Sequence, residues 1–168
     1  MNADDVVREF STDLAKDAVA AASPGELDLF DEVADEYWAD PKAAVATDRR
    51  DQRLGFGIDL ALLAPYAIAI AVAVVQYLFG ILTDAFAGEA KSVVAAKLRA
   101  VLKRTSDPAV PQLTPAQFAQ VRSVALDAAG RLGLATDTAR LLTDAIVGGL
   151  VQTPGTPSGG FTDGRTAP

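Results

Sequence analysis

The chain has 168 residues and a formal net charge of −7, and it contains neither cysteine nor histidine. The missing cysteine excludes disulfides, thiol catalysis and thiolate metal sites, and the missing histidine removes the side chain best suited to proton transfer near neutral pH. The negative charge argues against binding to nucleic acid. We therefore expect a non-enzymatic protein without a metal or cofactor.

Charge and hydropathy divide the chain into five segments. Residues 1–48 form an acidic head with thirteen acidic and three basic side chains, and residues 54–86 form a hydrophobic segment. Three further segments follow: a basic stretch at 87–104, a region with the signals of a helical hairpin at 113–151, and a tail at 152–168. Because the periodic segments have helical spacing, the sequence predicts an all-α fold of about one domain.

The acidic head predicts two short helices. The second begins with a capping signature, in which Ser23 and Glu26 exchange hydrogen bonds with each other's backbone and Pro24 takes the first helical position. We expect this helix to end near Trp38. The inward faces are predicted to contain Val6, Phe10, Leu14 and Ala18 in the first helix and Leu27, Phe30, Ala34 and Tyr37 in the second.

The outward face of the second helix is strongly acidic. Carboxylates one turn apart could suggest a metal site, but a hard cation needs six to eight oxygens arranged by a loop or by several elements, and the sequence has no such loop. A solvated face or a docking face for an unidentified, basic protein partner is the better interpretation. This face consists of Asp28, Asp31, Glu32, Asp35 and Glu36.

The hydrophobic segment has no charged side chain from Leu60 to Thr83. As a helix these residues would span roughly 36 Å, slightly more than the ~30 Å hydrocarbon thickness of a bilayer. The alternative is the buried central helix of a soluble bundle, for which the remaining amphipathic helices look too few. The sequence therefore favours a transmembrane helix.

Within this segment, alanine alternates with isoleucine or valine from Ala67 to Val75, as in a half-buried strand. A lone strand would leave its backbone unpaired in lipid, so we favour a helix. The alternation then puts two pairs of small residues one turn apart, which predicts helix packing and a possible homo-oligomer. The pairs are Ala67 with Ala71 and Ala69 with Ala73.

Pro65 falls early in the hydrophobic segment, where it removes a backbone donor. Either the helix kinks there or it begins there. If it begins there, the preceding residues form a separate apolar segment, and the pair could be a re-entrant hairpin in place of a single span.

The basic stretch predicts an amphipathic helix that continues from the hydrophobic helix. Its cations suit the headgroups of an anionic lipid bilayer, at about 1 kcal/mol for each basic residue near the surface. Because the composition is typical of high-GC bacteria, we expect the bacterial cytoplasmic membrane. The basic helix favours the cytoplasmic side for the soluble parts, but Arg49, Arg50 and Arg53 on the other flank nearly balance it, so the orientation stays open. The predicted headgroup contacts are Lys91, Lys97, Arg99, Lys103 and Arg104.

The C-terminal region predicts two helices that form an αα-hairpin. Thr114 and Gln117 form a capping box with Pro115 between them, and Gly133 suits the end of the first helix. Such a hairpin is too small to fold alone and must pack on the rest of the chain or on a partner. The tail from residue 152 is expected to be disordered. The inward faces are predicted to contain Phe118, Val121, Ala125, Ala128 and Leu132, then Leu142, Ala145, Ile146 and Leu150.

Three functions fit these features. The first hypothesis is a membrane-anchored helical adaptor or assembly subunit that acts through protein contacts. The second is a membrane-permeabilising effector, sheltered at rest, that inserts the helix at 60–83 and oligomerises. The third is a soluble helical interaction module in which the same helix forms the core.

Overall fold

The computed structural model describes residues 3–46, 62–103 and 113–151. The gaps between these ranges lie outside the described residues, and so does the tail at 152–168. The described part of the chain is α-helical and contains no strand, as the sequence predicts. Its α-helices are α1 (Ala3–Ala22), α2 (Leu27–Ala39), α3 (Pro41–Ala44), α4 (Ala64–Ala85), α5 (Lys91–Lys103), α6 (Pro115–Arg131) and α7 (Thr136–Val151).

The apolar helix α4 is the centre of the fold. Helices α1, α2, α5 and α6 all pack against it, and α7 packs mainly against α1 and α6. The core is a single cluster to which each of these six helices contributes. Its largest fully buried side chains include Phe10, Phe30, Ile68, Leu98 and Ile146.

The inward faces predicted for α1 and α2 are confirmed. Val6, Phe10, Leu14 and Ala18 of α1 are buried, and so are Phe30, Ala34 and Tyr37 of α2, whereas Leu27 is half-buried. Polar contacts also join the two helices. Trp38 Nε1 donates to Thr12 Oγ1 at 3.0 Å, and Lys16 Nζ lies 2.7 Å from Asp31 Oδ1.

The capping box predicted at the start of α2 is wrong. Pro24–Glu26 form a turn of 3-10 helix, α2 begins at Leu27, and the Ser23 side chain accepts no capping hydrogen bond. Its hydroxyl instead donates to Glu26 Oε1 at 3.0 Å. Glu26 is therefore free to use its other oxygen elsewhere.

A turn separates α4 from α5, so the two do not form the continuous helix that the sequence predicts. The Phe86 amide still donates to the Leu82 carbonyl, but Gly88 has a φ of 100° and the Glu89 amide donates back to the Phe86 carbonyl. A positive φ favours glycine, because other residues would meet steric resistance there. The turn lets α5 pack against α4.

The predicted C-terminal hairpin is confirmed. Thr114 Oγ1 accepts from the Gln117 amide at 3.2 Å, and Gln117 Oε1 accepts from the Thr114 amide at 2.8 Å, which completes the capping box. After α6, Gly133 has a φ of 69°, and the Leu134 amide donates to the Ala129 carbonyl, as in a Schellman motif.

The buried faces of the hairpin agree with the prediction in part. Val121 and Ala125 of α6 are fully buried, as predicted, whereas Phe118, Ala128 and Leu132 are half-buried. In α7 the buried residues are Ala139, Leu142, Thr143, Ile146 and Leu150, and Ala145 is half-buried.

Candidate functional site

Helix α4 is the one helix of the described residues that is long and apolar enough to cross a membrane, judged by length and composition. It is also half-buried in its own chain, because half of its most apolar window of 18 residues lies inside the fold. The other helices of the chain therefore cover about half of the segment that could cross a membrane. The buried positions are Ala64, Pro65, Tyr66, Ala67, Ile68, Ile70, Ala71, Val74, Val75, Leu78 and Leu82.

The surface of α4 that the other helices leave uncovered is a narrow stripe. Ala69, Val72 and Ala73 are half-buried, and Gln76 and Gly80 are exposed. These positions are three or four residues apart, so they lie on one side of the helix. We call this set the outer stripe; it is uncharged from Ala69 to Gly80, and the exposed Thr83 and Asp84 continue the same side of the helix at its carboxyl end.

The amino end of α4 is bound by a side chain from the turn between α1 and α2. Glu26 Oε2 accepts hydrogen bonds from the Leu63 amide at 2.8 Å and from the Ala64 amide at 3.0 Å. Pro65 occupies the first turn of α4, where its missing N–H leaves no donor unpaired. Pro65 therefore marks the start of the helix, which is one of the two alternatives that the sequence leaves open. The preceding segment, which a re-entrant hairpin would need, lies mostly outside the described residues.

The four alanines predicted for helix packing divide into two pairs with different surroundings. Ala67 and Ala71 have no exposed surface and lie in the core, so the helices that approach them belong to the same chain. Ala69 and Ala73 lie on the outer stripe and are half-buried. Close packing at small residues is therefore present inside the fold, and an interface between copies stays a prediction.

The predicted lipid-contact residues of α5 do not form one free basic surface. Lys91 is exposed, whereas Lys97 Nζ lies 4.1 Å above the Phe86 ring centroid. Arg99 Nη2 donates to Glu9 Oε1 at 3.2 Å, and thus links α5 to α1. Lys103 is the last residue of α5, and Arg104 lies outside the described residues.

The acidic face predicted on α2 is exposed along its whole length. Asp28, Asp31, Glu32, Asp35 and Glu36 all lie on the solvent side of the helix. Asp31 pairs with Lys16 of α1, which uses part of its charge within the chain. Leu29 is half-exposed beside these carboxylates, with 50% of its surface accessible. The helical spacing of the apolar residues does not predict this exposed leucine.

No group of three or more metal-ligating side chains is close enough to hold a metal ion within the described ranges. Burial raises the pKa of the Tyr37 phenol above its ordinary value of 10.0. The Tyr37 ring lies edge-on to Trp38 with a centroid distance of 5.2 Å, so this residue is part of the α1–α2 packing.

Compared with protein-family models, curated proteins and solved structures, the chain matches none of them.

Proposed function

We propose that this chain is a membrane-active helical protein, which shelters α4 inside a bundle at rest and inserts it into a bilayer when the bundle opens. The observation that carries this proposal is the uncharged outer stripe of α4. In a helix that serves only as the core of a soluble bundle, solvent-facing positions accept charged residues readily. A charge near the centre of a bilayer costs about 2.5 to 3.5 kcal/mol, so an uncharged stripe is what a helix that enters lipid requires.

The length of α4 supports the same proposal. Its 22 residues would extend roughly 33 Å, close to the hydrocarbon thickness of a bilayer. Lys91 is exposed just beyond its carboxyl end, where a cation would meet anionic headgroups. Lys97 and Arg99 would join it if their contacts with Phe86 and Glu9 broke.

A permanently inserted α4, as in the membrane-anchored adaptor, is harder to reconcile with the bundle. If α4 were in lipid, the apolar faces of α1, α2, α5 and α6 would lose the surface that covers them. Phe10, Phe30, Leu98 and Val121 are each fully buried now and would need another cover. If α4 inserts only when the bundle opens, these side chains stay covered by α4 until it is released.

The second candidate is a soluble interaction module, favoured by the burial of the first two turns of α4. In that case the exposed acidic face of α2, with Leu29 beside it, would be the surface that docks a basic partner. The two candidates differ in a single respect that can be measured: only the first requires α4 to enter lipid.

The test is dye leakage from vesicles of phosphatidylglycerol and phosphatidylcholine, combined with flotation of the full chain with the same vesicles. The decisive variant is Gln76→Glu, because residue 76 is exposed in the bundle and lies near the middle of α4. Its matched control is Gln120→Glu, which makes the same change at an exposed position of α6.

We expect both variants to unfold like the parent, within about 0.5 kcal/mol. Only Gln76→Glu should reduce insertion and leakage, by roughly tenfold or more, because the new carboxylate would have to enter lipid. Equal behaviour of the two variants would exclude α4 as the inserting segment. A chain that neither floats nor causes leakage, even with its bundle loosened by mild denaturant, would favour the interaction module.

A further inference from the structure

The contact between Glu26 and α4 joins parts of the chain that are far apart in sequence. Glu26 lies in the turn between α1 and α2, and one of its carboxylate oxygens accepts both the Leu63 and the Ala64 amides. The other oxygen accepts from the Ser23 hydroxyl, which fixes the orientation of the carboxylate. A single side chain thus connects the helices that cover α4 to the backbone of α4 itself.

This contact satisfies groups that would otherwise be unpaired. The first amides of a helix have no partner within the helix, and the helix dipole makes this end favourable for a negative charge. Ala64, Pro65 and Tyr66 are buried, so water has little access to this end of α4. A buried amide without a partner is strongly unfavourable, and hydrogen bonds to a charged acceptor are among the stronger ones in proteins.

We propose that Ser23 and Glu26 form a latch, which holds the amino end of α4 in the bundle and whose opening frees α4. The inference rests on the proposed function, because it names the contact that keeps the membrane-active helix sheltered. At the surface of a bilayer, water and headgroups can accept hydrogen bonds from the same amides, so the inserted state does not need Glu26. The latch therefore stabilises the sheltered state alone.

Two ion pairs between the helices that cover α4 do not have this property. The pair of Arg99 and Glu9 joins α5 to α1, and the pair of Lys16 and Asp31 joins α1 to α2. Both connect helices that cover α4, and neither ends on α4. Breaking them would loosen the cover, whereas breaking the latch exposes the end of α4 directly.

The first experiment measures the latch without any membrane. Hydrogen exchange is followed by mass spectrometry in the full-length parent chain and in Glu26→Gln, which keeps the side-chain shape but removes the charge and one acceptor. The matched control is Glu32→Gln, which makes the same change at an exposed position of α2. Ser23→Ala serves as a milder variant, which keeps the carboxylate and removes the hydroxyl that orients it.

We expect amides at the start of α4 to exchange roughly tenfold faster in Glu26→Gln, and by a smaller factor in Ser23→Ala. The amides at the start of α6, which has its own capping box, should not change in any variant. Equal exchange at the start of α4 in Glu26→Gln and Glu32→Gln would overturn the latch. If Glu26→Gln does not fold, Ser23→Ala decides the question by the same measurement.

The second experiment measures vesicle leakage with the same four proteins. A latch that controls a membrane-active helix predicts faster leakage for Glu26→Gln than for Glu32→Gln, with Ser23→Ala between them. Faster exchange without any leakage would retain the latch as a structural contact and overturn both its role in release and the proposed function. Leakage that is equal in all four proteins, with exchange unchanged, would overturn the latch and leave the proposed function standing.

Discussion

The two alanine pairs of α4 permit a direct test of the bundle. We compare the double variants Ala67→Leu/Ala71→Leu and Ala69→Leu/Ala73→Leu, which have identical composition and leave α4 equally apolar. Ala67 and Ala71 are 0% exposed, so each leucine adds three carbon atoms to a filled core. Ala69 and Ala73 lie on the outer stripe, where a leucine can extend toward solvent.

Overpacking a filled core destabilises a protein by about 1 to 3 kcal/mol for each substitution, so the inner pair together should cost about 2 to 6 kcal/mol. For a chain of this size, that corresponds to a fall in Tm on the order of 10 °C. The outer pair should change the free energy of unfolding by no more than about 0.5 kcal/mol.

The assay is thermal unfolding of both doubles in detergent-free buffer, followed by far-UV circular dichroism. Equal shifts in Tm for the two doubles would refute the burial of Ala67 and Ala71 in the resting chain.

Two further predictions concern stability. Gly133→Ala should lower the free energy of unfolding by about 1 to 2 kcal/mol, because the φ of 69° at this position is unfavourable for a residue with a Cβ. Gly130→Ala should raise the free energy of unfolding by about 0.5 to 1 kcal/mol, because Gly130 lies inside α6 with open space around it. Urea unfolding of both variants checks this pair of predictions. Burial raises the pKa of Tyr37 in the folded chain, so the unfolded chain loses the phenol proton at a lower pH than the folded chain does. The free energy of unfolding should therefore fall as the pH rises from 10.0 through the higher folded-state pKa. Urea unfolding on either side of pH 10.0 should show a smaller fall for Tyr37→Phe, and an identical fall would contradict the role of this phenol.

The sequence predicts those parts of the fold that depend on local interactions. The period of Val6, Phe10 and Leu14 identifies the buried side of α1, because a helix with one apolar face must turn it inward. The capping box of Thr114 and Gln117 could also be predicted, because both partners lie within one helical turn and their hydrogen bonds are local.

Contacts between distant residues could not be predicted in this way. The pairing of Ser23 with Glu26 fits a local capping box equally well, and nothing near Glu26 indicates that its oxygen binds amides 37 and 38 residues later. The one available signal is Pro65, which marks the start of a helix whose first amides need an acceptor. Similarly, the apolar pattern around Phe86 does not indicate a turn, although Gly88 permits one.

The packing of α4 has a consequence for the order in which the chain is synthesised. Helices α1 and α2 leave the ribosome before α4, so the surface that covers much of α4 is already available when it emerges. Helices α6 and α7 follow later; at 5 to 20 residues per second, α7 is complete about 3 to 13 s after α4. During this interval α4 is only partly covered, so any factor that recognises nascent apolar segments would have to compete with α1 and α2 for it. The strength of the early contacts of α1 and α2 would thus decide whether a newly made chain folds into the bundle or is delivered to a membrane during translation.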